Sequence, residues 1–311
     1  MWSRRNFINR TAGAGAALML PGWINASALL KGELTRLVIL HTNDVHSRID
    51  PFPEDGSRNA GLGGAARRAA LIEKIRSENE HVLLLDSGDI FQGTPYFNFY
   101  LGELDIKLMT AMGYDATTMG NHDFDGGLEN YEKQMREHGN FPTIISNYDF
   151  TDTVMHDKYI PRRSFQKGDI KIGVTGVGIE LDGLVPQALY GPTRYLDPIA
   201  KVTEQADILK HEEGCDIVIC LSHLGYKYDN DNDKVSDIKL AQNSRSIDII
   251  LGGHTHTFMD KPDIYRNKEG DNVIIHQVGW AGIRLGKIDI TFERNSKNKC
   301  ISCEGIWVKE A

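Results

Sequence analysis

The chain has 311 residues, of which 41% are hydrophobic and 25% are charged, and its formal net charge is -8 at pH 7. A chain of this length and ordinary composition can bury a sizeable core, as one large domain or two small ones. The acidic balance argues against binding to nucleic-acid polymers or anionic membranes, because those partners favour basic surfaces.

The N-terminal residues have the pattern of an export signal. Arg4-Arg5 precedes a mildly apolar run over 12–20, and Ala26-Ser27-Ala28 offers a small-x-small cleavage site. The paired arginines, with the residues after them, resemble a twin-arginine signal. The apolar run is shorter than the roughly 20 residues of a membrane span, so no membrane anchor is expected. We therefore predict a signal peptide over 1–28 and a periplasmic or otherwise exported domain over 29–311.

Strand-like runs alternate with helical patterns along the chain. The continuous apolar runs 37–40 and 81–85 are typical of strands buried on both faces, and 61–79 between them has helical spacing. Strand, helix, strand in this order predicts a right-handed parallel unit. Further helices are predicted over 98–112, 127–138 and 200–213; further strands over 114–119, 143–146, 170–177, 215–221, 247–251, 273–278, 286–292 and 301–308; and loops over 147–169 and 181–196.

Side chains of metal-binding types follow five of the predicted strands. Because the carboxyl ends of parallel strands meet at one edge of a sheet, we expect these side chains to lie together. In extended backbone, side chains two residues apart point the same way. Asp44 and His46 should therefore converge on one ion, and so should His254 and His256. In chain order the candidates are Asp44 and His46; Asp89; Asn121 and His122; His223; and His254 and His256.

The candidate ligands are carboxylates, imidazoles and one amide, a set that suits borderline divalent ions such as Mn, Fe, Co or Zn. With His122 set aside, seven ligands exceed what one tetrahedral ion takes. The sequence therefore predicts two divalent ions that share one carboxylate.

These residues resemble a known family. The segments Asp44-x-His46, Gly88-Asp89, Gly120-Asn121-His122-Asp123, His223 and Gly253-His254-x-His256 are similar, in that order, to the five motifs of calcineurin-like metallophosphoesterases. Within that superfamily, the stretches around Asp44, Asp89 and His122 resemble the 5'-nucleotidase branch. The resemblance extends over roughly 37–292.

The resemblance implies a four-layer α/β/β/α sandwich of two mixed sheets, with two metal ions at the strand ends. It implies that Asp89 bridges the ions, which together activate a water for in-line attack on phosphorus. His122 would bind no metal and would stabilise the transition state or protonate the leaving-group oxygen, with Asp125 holding its ring. The implied ligands are Asp44, His46, Asp89 and His256 for one ion, and Asp89, Asn121, His223 and His254 for the other.

Two departures from the family pattern bear on substrate. Bacterial and animal 5'-nucleotidases usually carry a C-terminal domain that holds the nucleoside, and this sequence stops soon after the catalytic motifs. We expect a nucleotide or similar phosphomonoester as substrate. Either a separately encoded chain supplies that domain, or the substrate is a smaller or more loosely recognised phosphate ester. His256 stands where several nucleotidases have an amide, which leaves metal preference and diester hydrolysis open.

Alternative interpretations stay open at this stage. A phosphodiesterase or a thiosulfohydrolase-like hydrolase would use the same ligands, and a non-catalytic metal-binding subunit of a two-chain nucleotidase would not need His122 and Asp125. Cys300 and Cys303 have the spacing of a zinc or redox pair, but a strand context near the C-terminus favours an incidental role. The acidic run 229–233 is predicted to be a solvated turn, because the glycine and glutamate of a calcium loop are missing.

Overall fold

The computed structural model describes residues 34–230, 233–293 and 299–309. The signal peptide predicted over 1–28 lies outside these residues, as do positions 231–232 of the acidic run, so both stay predictions. Among the described helices, none combines the length and apolar character needed to cross a bilayer.

The described residues form thirteen strands and seven α-helices. The strands are β1 Leu34–Thr42, β2 Val82–Asp86, β3 Ala116–Thr117, β4 Tyr148–Asp149, β5 Arg162–Lys167, β6 Ile170–Val177, β7 Arg194–Tyr195, β8 Ile217–Ser222, β9 Ile249–Leu251, β10 Asp263–Arg266, β11 Asn272–His276, β12 Arg284–Glu293 and β13 Lys299–Trp307. The helices are α1 Ala65–Glu78, α2 Pro95–Tyr100, α3 Glu103–Met112, α4 Leu128–His138, α5 Gln187–Tyr190, α6 Pro198–Asp207 and α7 Asp237–Asn243, with a 3₁₀ turn at His122–Phe124 and a π-helical turn at Ile208–Glu212.

Two mixed sheets form the centre of the fold. The first has the order β13-β12-β1-β2-β3, and the second has the order β10-β11-β9-β8-β6-β5. In the first sheet β1, β2 and β3 are parallel, and in the second β6, β8, β9 and β11 are parallel. Antiparallel strands occupy one side of the first sheet, where β12 and β13 lie, and both edges of the second, where β10 and β5 lie. The carboxyl ends of the central strands can therefore supply a site from both sheets.

Three apolar clusters give the molecule four layers. Alternate residues of the strands face opposite ways, so each central strand contributes to two clusters. Leu37 and Leu83 of the first sheet pack between the sheets against Ile219 and Ile249 of the second. Val38 and Leu84 face outward onto α1, α3 and α4, and Val218 and Ile250 face outward onto α6 and α7. The α/β/β/α sandwich of two mixed sheets expected from the sequence is confirmed.

The helix predicted over 98–112 is wrong, because the chain breaks it into α2 and α3. Leu101 and Gly102 take left-handed backbone with φ of 50° and 88°. A Cβ on Gly102 would lie 2.2 Å from the Phe91 ring, so the break lets the chain pass close to a buried aromatic side chain. Helical periodicity on both sides of the break conceals it in the sequence.

The 143–146 segment is extended, but it does not form the predicted strand. Thr143 and Ile144 make isolated bridges to Thr117 and Ile160, and Ser146 donates its amide to Gly176 O at 2.9 Å. The segment thus contacts both sheets without joining either ladder.

The two predicted loops hold regular elements that the sequence analysis missed. The polar stretch 147–169 contains β4 and β5, and 181–196 contains α5 and β7. Strand β5 lies at the edge of its sheet and is only half buried, so it carries no apolar run to reveal it.

Cys300 and Cys303 both lie in β13, opposite Thr291 and Ile288 of β12. All four cysteines are free thiols. Burial raises the pKa of the Cys303 thiol to about 12, which makes it a poor nucleophile or metal ligand. These observations agree with the incidental role expected for the pair.

The two sheets are tied together by Asp248, which directly precedes β9. Its carboxylate contacts the Lys299 ammonium at the start of β13, lies 3.2 Å from Lys210 Nζ, and accepts a hydrogen bond of 2.9 Å from the Val218 amide. Burial alone would raise the pKa of Asp248, but the two ammonium groups outweigh burial and lower it. The ionised carboxylate therefore stabilises the folded chain.

We predict that Asp248→Asn lowers the free energy of unfolding at neutral pH by about 1–3 kcal/mol, because two partly buried ammonium groups lose their counterion. A carboxyl group with a lowered pKa stabilises the fold above its unfolded-state pKa, and that stabilisation disappears as pH falls through the lowered value. The difference between wild type and variant should thus shrink in acid.

Urea unfolding at several pH values measures this difference. The exposed Glu204 pairs with Lys201 at 3.1 Å on α6, and Glu204→Gln is the matched control, with an expected change within about 0.5 kcal/mol. Equal effects of the two substitutions would contradict the role assigned to Asp248.

Candidate metal centre

The candidate ligands lie in the loops that follow β1, β2, β3, β8 and β9. The spacing of two residues between paired ligands predicted extended backbone, but the backbone in these loops is not extended. Asp44 and His46 have φ of 51° and 52°, and His254 and His256 have φ of 70° and 51°. Left-handed backbone at non-glycine residues costs about 1–3 kcal/mol each and is concentrated at functional sites. The side chains converge because the chain turns sharply over the strand ends, and not because a strand continues.

One group of donor atoms comes from the loops after β1 and β9. Asp44, His46 and His256 each offer a ligand atom within 4.8 Å of the others. His256 Nε2 lies 3.0 Å from His46 Nε2 and 3.3 Å from Asp44 Oδ1. Two ligands bound at right angles about 2.1 Å from one ion are about 3.0 Å apart, so this spacing suits a shared ion.

A second group lies beside the first. Asp89, His223 and His254 also offer atoms within 4.8 Å of one another. His223 Nε2 lies 3.0 Å from Asp89 Oδ2, and His254 Nδ1 lies 2.8 Å from Asn121 Oδ1. The structure thus brings all seven sequence-predicted ligands into two adjacent groups.

Asp89 lies between the two groups. Its Oδ2 is 3.0 Å from His223 Nε2 of one group and 3.8 Å from His46 Nε2 of the other. Its Oδ1 accepts a hydrogen bond of 2.7 Å from the His122 amide, which fixes the carboxylate plane. One oxygen of Asp89 is therefore available to both groups.

Hydrogen bonds to backbone carbonyls fix two of the imidazole rings. His223 Nδ1 donates to Ser87 O at 2.6 Å, and His46 Nδ1 donates to Phe91 O at 3.2 Å. A carbonyl oxygen only accepts, so in the neutral rings Nε2 presents its lone pair to the carboxylates. Such outer contacts are typical of metal-binding histidines.

The residues present fit divalent cations. Asp44 and Asp89 are 0% and 1% exposed, and within the described part of the chain no lysine or arginine forms an ion pair with either. His223 Nε2 is buried without a hydrogen-bond partner, although it lies 3.0 Å from Asp89 Oδ2. Buried carboxylates need counter-charges, and a lone pair aimed at them without hydrogen-bond geometry suits a shared ion.

The pKa shifts describe the same need for positive charge. Burial by itself would lower the pKa of His223, yet the neighbouring Asp89 carboxylate raises it to about 10. His254 shows the opposite result, because burial and then the charge of His223 lower its pKa to about 4. The raised pKa of His223 thus reflects the uncompensated charge of Asp89, which a bound cation would balance.

His122 and Asp125 form a separate pair beside the ligands. His122 Nδ1 lies 2.8 Å from Asp125 Oδ2, and the hydrogen bond to that carboxylate raises the pKa of His122. The His122 side chain is 36% exposed, whereas the ligand carboxylates are buried. Its ring centroid lies 5.2 Å from that of His46. The pair can therefore present a protonated Nε2 at the open edge of the ligand groups.

Asp123 is a supporting residue to which the sequence analysis assigned no role. Its Oδ2 accepts the amides of Gly120 at 2.8 Å and Asp89 at 3.0 Å, and its Oδ1 accepts the amides of Ile90 at 2.9 Å and Phe91 at 3.3 Å. One buried carboxylate thus joins two ligand-bearing loops. Its place beside His122 in a dense polar run was the available signal.

Two further features follow from this geometry. A Cβ on Gly120 would lie 2.2 Å from Asp89 Oδ1, so only glycine lets the two loops approach. Trp280 stacks on the His256 ring with centroids 5.7 Å apart and planes at 7°. No motif or periodicity in the sequence indicated this contact.

Comparison with known proteins agrees with this geometry. Residues 37–258 match the family model described as calcineurin-like phosphoesterase. The chain belongs to this family. The calcineurin-like phosphoesterase match spans every candidate ligand as well as His122 and Asp125. The recognition made from the five motifs is confirmed.

Two curated relatives and one solved structure illustrate the likeness. The chain is 30% identical to a snake venom 5'-nucleotidase of Gloydius brevicauda, over 91% of this chain and 50% of that protein. It is 32% identical to a human 5'-nucleotidase, over 95% of this chain and 53% of that protein. The structure of a 5'-nucleotidase precursor from Thermus thermophilus superposes with a TM-score of 0.76 at 28% identity, covering 88% of this chain and 55% of that one. The chain thus spans about half the length of these relatives.

We predict that Asp123→Asn weakens metal binding about 10- to 100-fold, because the amide nitrogen cannot accept backbone hydrogen bonds and the loops bearing Asp89 and Asn121 separate. Metal content after dialysis against a weak chelator measures the effect. Asp55→Asn, at an exposed turn where the carboxylate accepts the Ser57 amide, is the control. Full metal retention in Asp123→Asn would show that the backbone hydrogen bonds accepted by Asp123 are dispensable for metal binding.

Proposed function

We propose that this chain is a dinuclear-metal phosphoesterase that hydrolyses nucleotides or similar phosphomonoesters. The observation that carries the proposal is a pair of ligand groups sharing Asp89, with the His122–Asp125 pair at their open edge. The family of the chain and the names of its relatives support the same activity.

The proposed ligands divide as the two groups do. Asp44, His46 and His256 hold one ion, and Asn121, His223 and His254 hold the other, with Asp89 between them. Two bound divalent ions would supply positive charge to the phosphate oxygens and lower the pKa of a water, so that hydroxide can attack phosphorus. Imidazole, amide and carboxylate donors suit Mn, Zn, Fe or Co. Metal analysis of the purified protein identifies the ions.

His122 has the position and protonation of a general acid. Asp125 accepts from Nδ1, so the ring is fixed with Nε2 directed away from the carboxylate. Because that hydrogen bond raises the pKa of His122, the ring keeps a proton that it can donate to the departing oxygen of the ester. A binding-only subunit has no use for such a pair, which favours an enzyme.

The substrate is proposed from the relatives and from the ligand chemistry. Both relatives are named 5'-nucleotidases and are about twice as long as the region matched here. Nucleoside-binding groups outside the matched region, with a separate chain as one source, are part of the proposal. Activity with small esters needs only the metal centre, whereas selectivity for AMP would need those further groups.

Export through the signal predicted over 1–28 is also proposed. A twin-arginine route carries folded proteins, so the ions could be bound before export. Mass spectrometry of protein from the exported fraction should give an N-terminus at residue 29. Intact protein confined to the cytoplasm, or an exported form without bound ions, would contradict this part of the proposal.

The proposed activity is tested with purified protein that has been stripped of metal and then supplied with Mn. The assay compares p-nitrophenyl phosphate, bis-p-nitrophenyl phosphate, AMP and a thiosulfonate. We expect metal-dependent turnover of the monoesters to exceed that of the other two. Faster diester or thiosulfonate turnover would favour the alternative hydrolases, and no turnover with two bound ions would favour the non-catalytic subunit.

We predict that His122→Ala lowers kcat for AMP about 10²- to 10⁴-fold while two ions stay bound, because the substitution removes the acid and no ligand. Metal analysis of the same sample measures ion content. The exposed His156, which pairs with Asp157 at 3.4 Å, provides the control His156→Ala, with unchanged turnover expected. Loss of an ion from His122→Ala would make His122 a ligand and overturn its role as acid.

A further inference from the structure

An aromatic side chain covers one of the candidate ligands. Trp280 is half-buried and stacks on the His256 imidazole, with ring centroids 5.7 Å apart and planes at 7°. This distance lies within the range of about 4.5–7 Å for favourable offset stacking. Phe52 meets the same indole edge to face, with centroids 5.8 Å apart at 74°. The indole is therefore held from a second side.

The backbone beside Trp280 is tied to the ligand loop that follows β1. The Ala281 amide donates to Asp44 O at 2.7 Å, and Ala281 has left-handed backbone with φ of 56°. A shift of this loop therefore changes Asp44 and Trp280 together. The indole is thereby held beside Asp44 and His256, which belong to the same candidate ligand group.

His256 differs from two other imidazoles of the centre in how its ring is oriented. His223 and His46 donate from Nδ1 to backbone carbonyls. In the parts of the chain that the structure describes, His256 Nδ1 has no such partner, and the side chain is 40% exposed. Metal-binding histidines are normally oriented by an outer hydrogen bond. The stack on Trp280 is the contact that can orient the exposed ring instead.

We propose that Trp280 is the positioning residue for His256 and raises the affinity of the ion bound by Asp44, His46 and His256. This inference rests on the proposed metal centre. Stacking limits the rotation of the imidazole before an ion arrives. An imidazole that binds a cation also becomes electron-poor, which strengthens its attraction to the electron-rich indole face. The stack therefore favours the metal-bound state over the empty one.

The test is a titration of the metal-free protein with Mn in competition with a chromophoric chelator, which reads both ions without any assay of hydrolysis. We expect Trp280→Ala to raise the Kd of one ion about three- to tenfold and to leave the other unchanged. Trp280→Phe keeps an aromatic face and should restore most of the affinity. Circular dichroism of the metal-free variants checks that both fold.

Trp307 provides a matched control. It is 44% exposed and stacks on Phe258, with ring centroids 6.5 Å apart. Among the aromatic ring pairs of the described residues, none joins Trp307 to a candidate ligand. Trp307→Ala should leave both affinities at wild-type values. Wild-type affinities in Trp280→Ala would overturn the proposal, and so would equal weakening of both ions, because positioning through His256 acts on one.

The proposed activity and this inference can fail separately. If the wild-type protein binds two ions and hydrolyses none of the esters, the proposed activity is contradicted. The titration of Trp280→Ala would still decide the role of the indole. Wild-type protein that binds no divalent ion would overturn both proposals.

Discussion

Two carboxylates buried at the junction of two sheets are the constraint on which the site depends. Asp44 and Asp89 are almost completely removed from solvent, and ions of like charge in a low-dielectric environment repel each other strongly. The protein surrounds them with imidazoles and an amide rather than with lysine or arginine. In the proposed centre, cations from solution would balance the charge of these carboxylates, the same charge that raises the pKa of His223.

Contacts in the surrounding fold offset the unfavourable backbone conformation of the candidate ligands. Left-handed backbone at Asp44, Asp89 and His256 is unfavourable in isolation. At Asp89 it is maintained by the hydrogen bonds that Asp123 accepts. All three residues lie in loops that begin on strands buried between the sheets. By contrast, the His122 side chain is 36% exposed, so the proposed substrate would have access to it.

The order of strands and helices was largely predictable, because buried parallel strands carry continuous apolar runs. The 170–177 run, for example, is the strand β6. Predictions failed where one buried contact decided the local backbone. The Phe91 ring breaks the helix at Gly102, and the polar edge strand β5 has no apolar run to mark it.

The candidate ligands could be selected from the sequence because each follows a strand, and the structure groups all seven. Their backbone could not be predicted, since residue spacing does not distinguish an extended segment from a sharp turn in left-handed conformation. The roles of Asp123 and Trp280 depend on contacts between distant loops. Such contacts have no local signature in one sequence.

The ligand set also has a consequence for how the molecule assembles. His46 and His256 are 210 positions apart and yet their Nε2 atoms lie 3.0 Å from each other. Contacts of such long range form late, because closing a large loop is entropically costly before other contacts reward it. No short segment of the chain can capture an ion with both histidines. In the proposed centre, metal binding would therefore follow the docking of the two sheets and would not nucleate folding.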